Sequence, residues 1–223
     1  MKFTIVTKEG TKELTCEVKN LMVVGFSGKD VAKTMEHIKE LEREGVKCPK
    51  EVPVPYQCDP QIITQKDVID VIGEKTSGEA EYLILCHDGH FYIGIGSDHT
   101  DRDLEAVSIH KSKQLCLKPC SKELWDYDEV KDHLSTLRLV STQVVNGGTI
   151  EYQNGVAGDI LPFDTLIEKV SKEVPLEDCL IYTGTVPLLN GFKFGTNFSC
   201  KLVDEVLHRE LVLSYNIHTI TEH

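Results

Sequence analysis

Along most of this chain, apolar and polar positions alternate in short runs rather than recurring at helical spacing, so the pattern predicts strands. Residues 1–26 give short strands around Phe3-Thr4-Ile5-Val6 and Leu14-Thr15-Cys16-Glu17-Val18, with Gly10 at the turn between them. From Gly28 to Gly45 the apolar set Val31, Met35, Ile38 and Leu41 falls at helical spacing, which predicts one amphipathic helix with Gly45 as its stop. Four prolines between Pro49 and Pro60 exclude a regular helix and suggest a linker. Beyond it lie strand patterns over Val68 to Ile72, Glu79 to Cys86, His90 to Ser97, Thr136 to Val145, Thr149 to Gln153 and Cys179 to Thr183, with late runs through Lys201 and Val212. After Pro162, the residues Phe163, Leu166, Ile167 and Val170 share one face of a helix that runs to Lys172. The fold class expected is α+β, mainly β. Residues 1–52 would form a small N-terminal β unit with its helix, and residues 53–223 a β-rich sandwich or barrel-like core with helices at its edge.

At 223 residues the chain suits one principal domain. Its 40% hydrophobic and 27% charged residues are the balance of a soluble globular protein. A formal charge of −12 without any Lys/Arg run argues against a nucleic-acid or anionic-membrane surface and for a small-molecule partner. The N-terminus turns polar after Val6, too early for a signal peptide or a membrane span, which points to the cytoplasm. The eight cysteines are scattered except for Cys116 and Cys120, so reduced thiols are expected. Cys86, His87 and His90 could begin a zinc site, but no second ligand pair follows. Gly94-Ile95-Gly96 lacks the third glycine and helix start of a dinucleotide site.

The most informative stretch runs from Glu79 to Asp98. Asp88-Gly89 between two apolar runs signals a two-residue hairpin turn. If His87 pairs with His90, Glu81 faces Gly96 and Glu79 faces Asp98, so all three acids converge on one face. Like charges so placed destabilise a sheet unless a cation sits among them, and an all-oxygen set suits Mg²⁺, with Mn²⁺ or Ca²⁺ as substitutes. Gly96 would leave room for the ion. A register one residue off would instead make these acids a solvated edge.

The same stretch and its flanks resemble the fumarylacetoacetate hydrolase superfamily. Glu79-Ala80-Glu81 is similar to the family's Glu-x-Glu pair and Asp98-His99-Thr100-Asp101-Arg102-Asp103 to its Asp-x-Thr-x-Arg-Asp motif. Ser112-Lys113-Gln114 resembles the segment carrying its lysine. Val145-Asn146-Gly147, Gln153-Asn154-Gly155 and Thr183-Gly184-Thr185-Val186-Pro187 follow in the family's order. Upstream, Gly25-Phe26 and His37-Ile38-Lys39-Glu40 look like the start and the His-x-x-Glu dyad of its lid helix. The chain departs from the family at Ser77-Gly78, where a histidine usually stands, in its short hairpin after the Glu pair, and at Val186.

The resemblance implies a fumarylacetoacetate hydrolase-like fold, a homodimer, and a divalent metal on Glu79, Glu81 and Asp98. His37 and Glu40 would activate water, and Lys113 would stabilise developing negative charge. Arg102, Gln153, Thr183, Gly184 and Thr185 would bind substrate. On residue pattern alone His37 and Glu40 could equally be the solvated side of a helix, Lys113 a surface charge, and Thr183-Gly184-Thr185 a strand-to-turn junction. The activity implied is metal-dependent hydrolysis of a carbon–carbon bond in a small diketo or oxo-acid. Decarboxylation or tautomerisation of a 2-oxo acid, or ligand binding without catalysis, are the alternatives.

Overall fold

The computed structural model describes residues 1–43, 49, 51–221 and 223; the side chains at positions 33, 37 and 40–43 lie outside the described part. The chain begins with β1 (Lys2–Thr7), β2 (Gly10–Thr15), β3 (Asn20–Gly25), α1 (Val31–Arg43) and β4 (Val54–Cys58). It continues through β5 (Ile63–Thr64), β6 (Val68–Ile72), β7 (Thr76–Ser77), β8 (Ala80–His87), β9 (His90–Ser97) and β10 (Thr100–Asp101). Two short helices, α2 (Arg102–Val107) and α3 (Ile109–Leu115), lead to β11 (Lys118–Pro119), β12 (Glu123–Asp126) and α4 (Tyr127–Val130). The last part contains β13 (Arg138–Val145), β14 (Gly148–Val156), α5 (Phe163–Ser171), β15 (Cys179–Tyr182), β16 (Asn197–Asp204) and β17 (Arg209–Ile220).

Two large sheets pack face to face. One has eight strands in the order β2-β1-β12-β9-β8-β15-β3-β4, the other five in the order β14-β13-β16-β17-β6. The first three strands thus belong to the same sheet as the central hairpin β8–β9. Between the sheets, Met22, Tyr82, Ile84, Ile93 and Trp125 share a core with Leu139, Phe198, Leu202, Leu211 and Tyr215. The outer face of the larger sheet is also covered, by a second cluster around Phe3, Leu21, Val23, Leu83, Leu85 and Leu180. Double coverage explains why β3 and β8 carry unbroken apolar runs, Leu21–Val24 and Tyr82–Cys86, whereas β6 alternates exposed and buried residues over a single core.

Most of the anticipated strands and both anticipated helices are present, and the differences have local causes. The proline-rich segment expected to be a linker contains β4, which among the described residues pairs only with β3, at the edge of the sheet. An edge strand tolerates Pro53 and Pro55 nearby because its outward N–H groups have no strand to bond. Helices α2 and α3 escape the pattern because six and seven residues are too few turns to show a period. Asp101 caps α2, its carboxylate accepting from the Leu104 amide at 2.7 Å.

At the β8–β9 turn Asp88 and Gly89 both have positive φ, +50° and +70°, and His87 pairs with His90. A side chain at Gly89 would meet nothing within 4 Å, so only backbone strain opposes it. Gly89→Ala is expected to lower unfolding free energy by about 1 kcal/mol, seen as a lower urea midpoint with an unchanged slope.

Candidate active site

The hairpin register follows the Asp88-Gly89 turn. Glu81 lies opposite Gly96, and the Asp98 amide donates to the Glu79 carbonyl at 3.0 Å. Glu79 precedes β8 and Asp98 follows β9, so the three carboxylates meet at one sheet edge with oxygens within 4.8 Å of one another. Glu81 and Asp98 are buried, while Glu79 stays partly open. The space expected above Gly96 is already filled, since a Cβ there would come within 2.7 Å of Tyr182 and 2.8 Å of Leu83. The glycine admits the tyrosine ring that underlies the site; it does not leave room for an ion. A second trio, His87, Asp88 and Glu177, lies at the hairpin turn, where His87 bonds Asp178 and Glu177 accepts turn amides.

Two lysines converge on Asp98. Lys113, on α3, donates to one carboxylate oxygen, and Lys118 Nζ is 3.1 Å from the other. Lys118 also donates to the His99 carbonyl at 2.6 Å, and the Thr100 hydroxyl bonds the Asp98 carboxylate at 3.1 Å. Burial would raise the Asp98 carboxyl, but Lys113 and then Lys118 override it and hold it well below the usual carboxylate range. Burial would likewise depress Lys113, and Asp98 followed by Glu105 reverses this, so the ammonium stays charged. At Glu81, burial and then the Asp98 charge outweigh Lys113 and push the carboxyl well above the usual range, and burial raises Glu79 despite Arg102. Lys118 was not anticipated from sequence. Its one available signal is a single charge inside the otherwise apolar Leu117-Lys118-Pro119-Cys120.

Arg102 is buried, but its guanidinium is largely occupied. It bonds the Ser77 hydroxyl at 2.8 Å, the Ser77 carbonyl at 3.2 Å and Glu105 at 2.8 Å, and lies 3.4 Å from Glu79. Phe192 stacks on it at 4.4 Å. In this arrangement it orients Glu79. Beneath the site, His99 bonds Tyr215 and Thr76, each at 2.9 Å, and burial followed by Lys118 pushes its imidazole down to about 3.

Thr183, Gly184 and Thr185 form a clip on Glu81. The Thr183 and Thr185 hydroxyls donate to the carbonyls of Tyr82 and Ala80, at 2.8 and 2.7 Å, on either side of Glu81. The Gly184 amide donates to the Glu81 carboxylate at 2.9 Å. Gln153 accepts from the Ala80 amide and the Ser141 hydroxyl, both at 2.9 Å, and donates to Thr185 and to the Val186 carbonyl, at 2.6 and 2.8 Å. Its amide is fully engaged, so it braces the clip. A cavity of about 1280 Å³ opens over the carboxylates, lined among others by Ser27, Thr34, Glu36, Lys113 and Gly184. Helix α1, which bears His37 and Glu40, borders this cavity through Thr34 and Glu36; the side chains of His37 and Glu40 themselves lie outside the described residues.

Comparison with known proteins gives a consistent picture. The DUF2848 family, described as a protein of unknown function, matches residues 24–215. No curated protein matches by sequence. Among solved structures, apo 2-keto-3-deoxy-D-arabinonate dehydratase is similar with a TM-score of 0.69 and 17% identity over 97% of this chain and 79% of that one. The same dehydratase complexed with magnesium and 2,5-dioxopentanoate gives 0.67 and 15% over the same shares. A protein from Yersinia pestis CO92 assigned to the fumarylacetoacetate hydrolase family gives 0.66 and 18% over 97% and 100%. Identities this low speak for fold, and the family model speaks for kinship: the chain belongs to the DUF2848 family and has the fold of the fumarylacetoacetate hydrolase superfamily.

Proposed function

We propose that this protein is a magnesium-dependent enzyme that hydrolyses a carbon–carbon bond in a small diketo or oxo-acid. The observation that carries the reading is the convergence of Glu79, Glu81 and Asp98 beside Lys113, with Glu79, Glu81 and Lys113 lining an open cavity. The donor set fits a hard dication, because three carboxylates supply only oxygen and the raised pKa of Glu81 and Glu79 marks negative charge that a cation would relieve. Bound there, Mg²⁺ would supply Lewis-acid polarisation of carbonyl and carboxylate oxygens. The chain's own groups do the rest. Lys113, held charged by Asp98, offsets negative charge developing on the substrate oxygen. His37 and Glu40, three apart on α1, are the pair that would orient and deprotonate water. Arg102 and the Gly184 clip keep Glu79 and Glu81 in place.

A second reading keeps the site and omits the water: a lyase or isomerase acting on a 2-oxo acid. The fold likeness to a dehydratase solved with magnesium and 2,5-dioxopentanoate favours it. The superfamily resemblance also supports a homodimer working in the cytoplasm.

Calorimetry tests the metal. The wild type is expected to bind Mg²⁺, and Glu81→Gln to weaken binding by about tenfold or more. Because the proton is held to higher pH on Glu81 and Glu79 than on ordinary carboxylates, it competes with the ion. Affinity should therefore fall as pH is lowered, and begin to fall above the range in which ordinary carboxylates take up a proton. Absence of Mg²⁺ binding by the wild type would sink the reading. For the chemistry, a panel of 2-oxo and diketo-acids assayed for bond cleavage should yield turnover that Lys113→Met reduces by about 10²-fold or more. An unaffected rate would remove Lys113 from the mechanism.

A further inference from the structure

We propose that Ser27 is a substrate-contacting residue, its hydroxyl bonding an oxygen of the oxo-acid that occupies the site beside Glu81. This rests on the metal-site reading above and adds to it a residue outside every motif so far considered.

Ser27 follows β3, and Gly184 follows β15; the two strands are parallel neighbours, so both loops leave the sheet at the edge where the carboxylates meet. The two loops come into direct contact. Gly184 has φ +100°, and a Cβ there would overlap the Ser27 hydroxyl. Its amide is the one that bonds the Glu81 carboxylate. The serine is therefore a near neighbour of a proposed metal ligand through one glycine.

Its placement is built rather than incidental. The preceding residue, Phe26, has φ +56°, a left-handed conformation that is strained for an aromatic side chain. On the other side the backbone is pinned, since the Ser27 carbonyl accepts from the Leu161 amide at 2.8 Å and Gly28 bridges Ile160. Ser27 is 3% exposed, so a hydroxyl with no partner would be costly if sealed in. Among the described residues its side chain makes no hydrogen bond, and it lines the cavity over Glu79 and Glu81. A hydroxyl left free by the protein at the wall of a cavity that also exposes Glu79 and Glu81 is available to a ligand. A carboxylate or carbonyl oxygen of the oxo-acid accepts from it. The Gly184 amide is already engaged by Glu81, which leaves the neighbouring Ser27 hydroxyl to donate.

The test uses the whole protein with Mg²⁺ and oxalate, a compact dicarboxylate probe. Ser27→Ala keeps the Cβ, and Ser27→Cys keeps the shape while donating poorly; both should unfold at the wild-type temperature. Calorimetry is expected to show Mg²⁺ affinity unchanged in both variants and oxalate affinity for the Mg²⁺-loaded protein weakened about tenfold in both. Unchanged oxalate affinity, or full recovery in Ser27→Cys, would assign Ser27 to packing and overturn the proposal while leaving the metal site intact. Failure of the wild type to bind Mg²⁺ would remove the site itself, and this proposal with it.

Discussion

Three carboxylates withdrawn from water at one sheet edge repel one another and have lost their hydration, so each must be compensated by something the fold supplies. The neighbourhood is arranged around that requirement. Asp98 lies between Lys113 and Lys118, Glu79 beside Arg102, and Glu81 accepts from the Gly184 amide and feels the Lys113 charge. The asymmetry matters chemically. Asp98 is held ionised, whereas burial and the Asp98 charge favour a proton on Glu81, which a dication would displace.

Compensation on this scale needs groups from distant parts of the chain, and the two-sheet architecture provides them. Lys113 and Lys118 arrive on a short helix and a two-residue strand after the hairpin, and the Thr183-Gly184-Thr185 clip follows β15, 65 residues beyond Lys118. Gln153, from the second sheet, fastens the clip to Ala80 between the two glutamates. The site is thus braced by both layers of the sandwich, and the covered outer face of the larger sheet keeps its floor dry through Tyr182 and Leu83.

The cavity above this base is bordered by strand ends of β3 and β8 and, for the rest, by loops and the helices α1, α2 and α3. That division suits an enzyme: a rigid edge fixes the charged groups while the walls set what is admitted. Ser27 stands at the junction, its backbone held by the 160–161 segment and its hydroxyl packed against Gly184 at the cavity wall.

The sequence by itself determined the hairpin and its register. The Asp88-Gly89 turn is a local steric preference and side chains alternate with period two, so Glu79, Glu81 and Asp98 had to share a face. It likewise determined the mainly β character and the helices α1 and α5, whose apolar periods are long enough to show. Only the tertiary structure decided which cations meet those acids. Lys118 is one charge in a short apolar run, and nothing local says that it reaches Asp98. Arg102, Gln153 and Thr183-Gly184-Thr185 were legible as motif positions, but their hydrogen bonds show them bracing the carboxylates, a role set by contacts across the fold. Gly96 makes the same point: the sequence placed it opposite Glu81, and only packing showed that Tyr182 fills the space. Turns and alternation follow from neighbouring residues along the chain, whereas charge compensation and close packing depend on groups that meet only after the chain has folded.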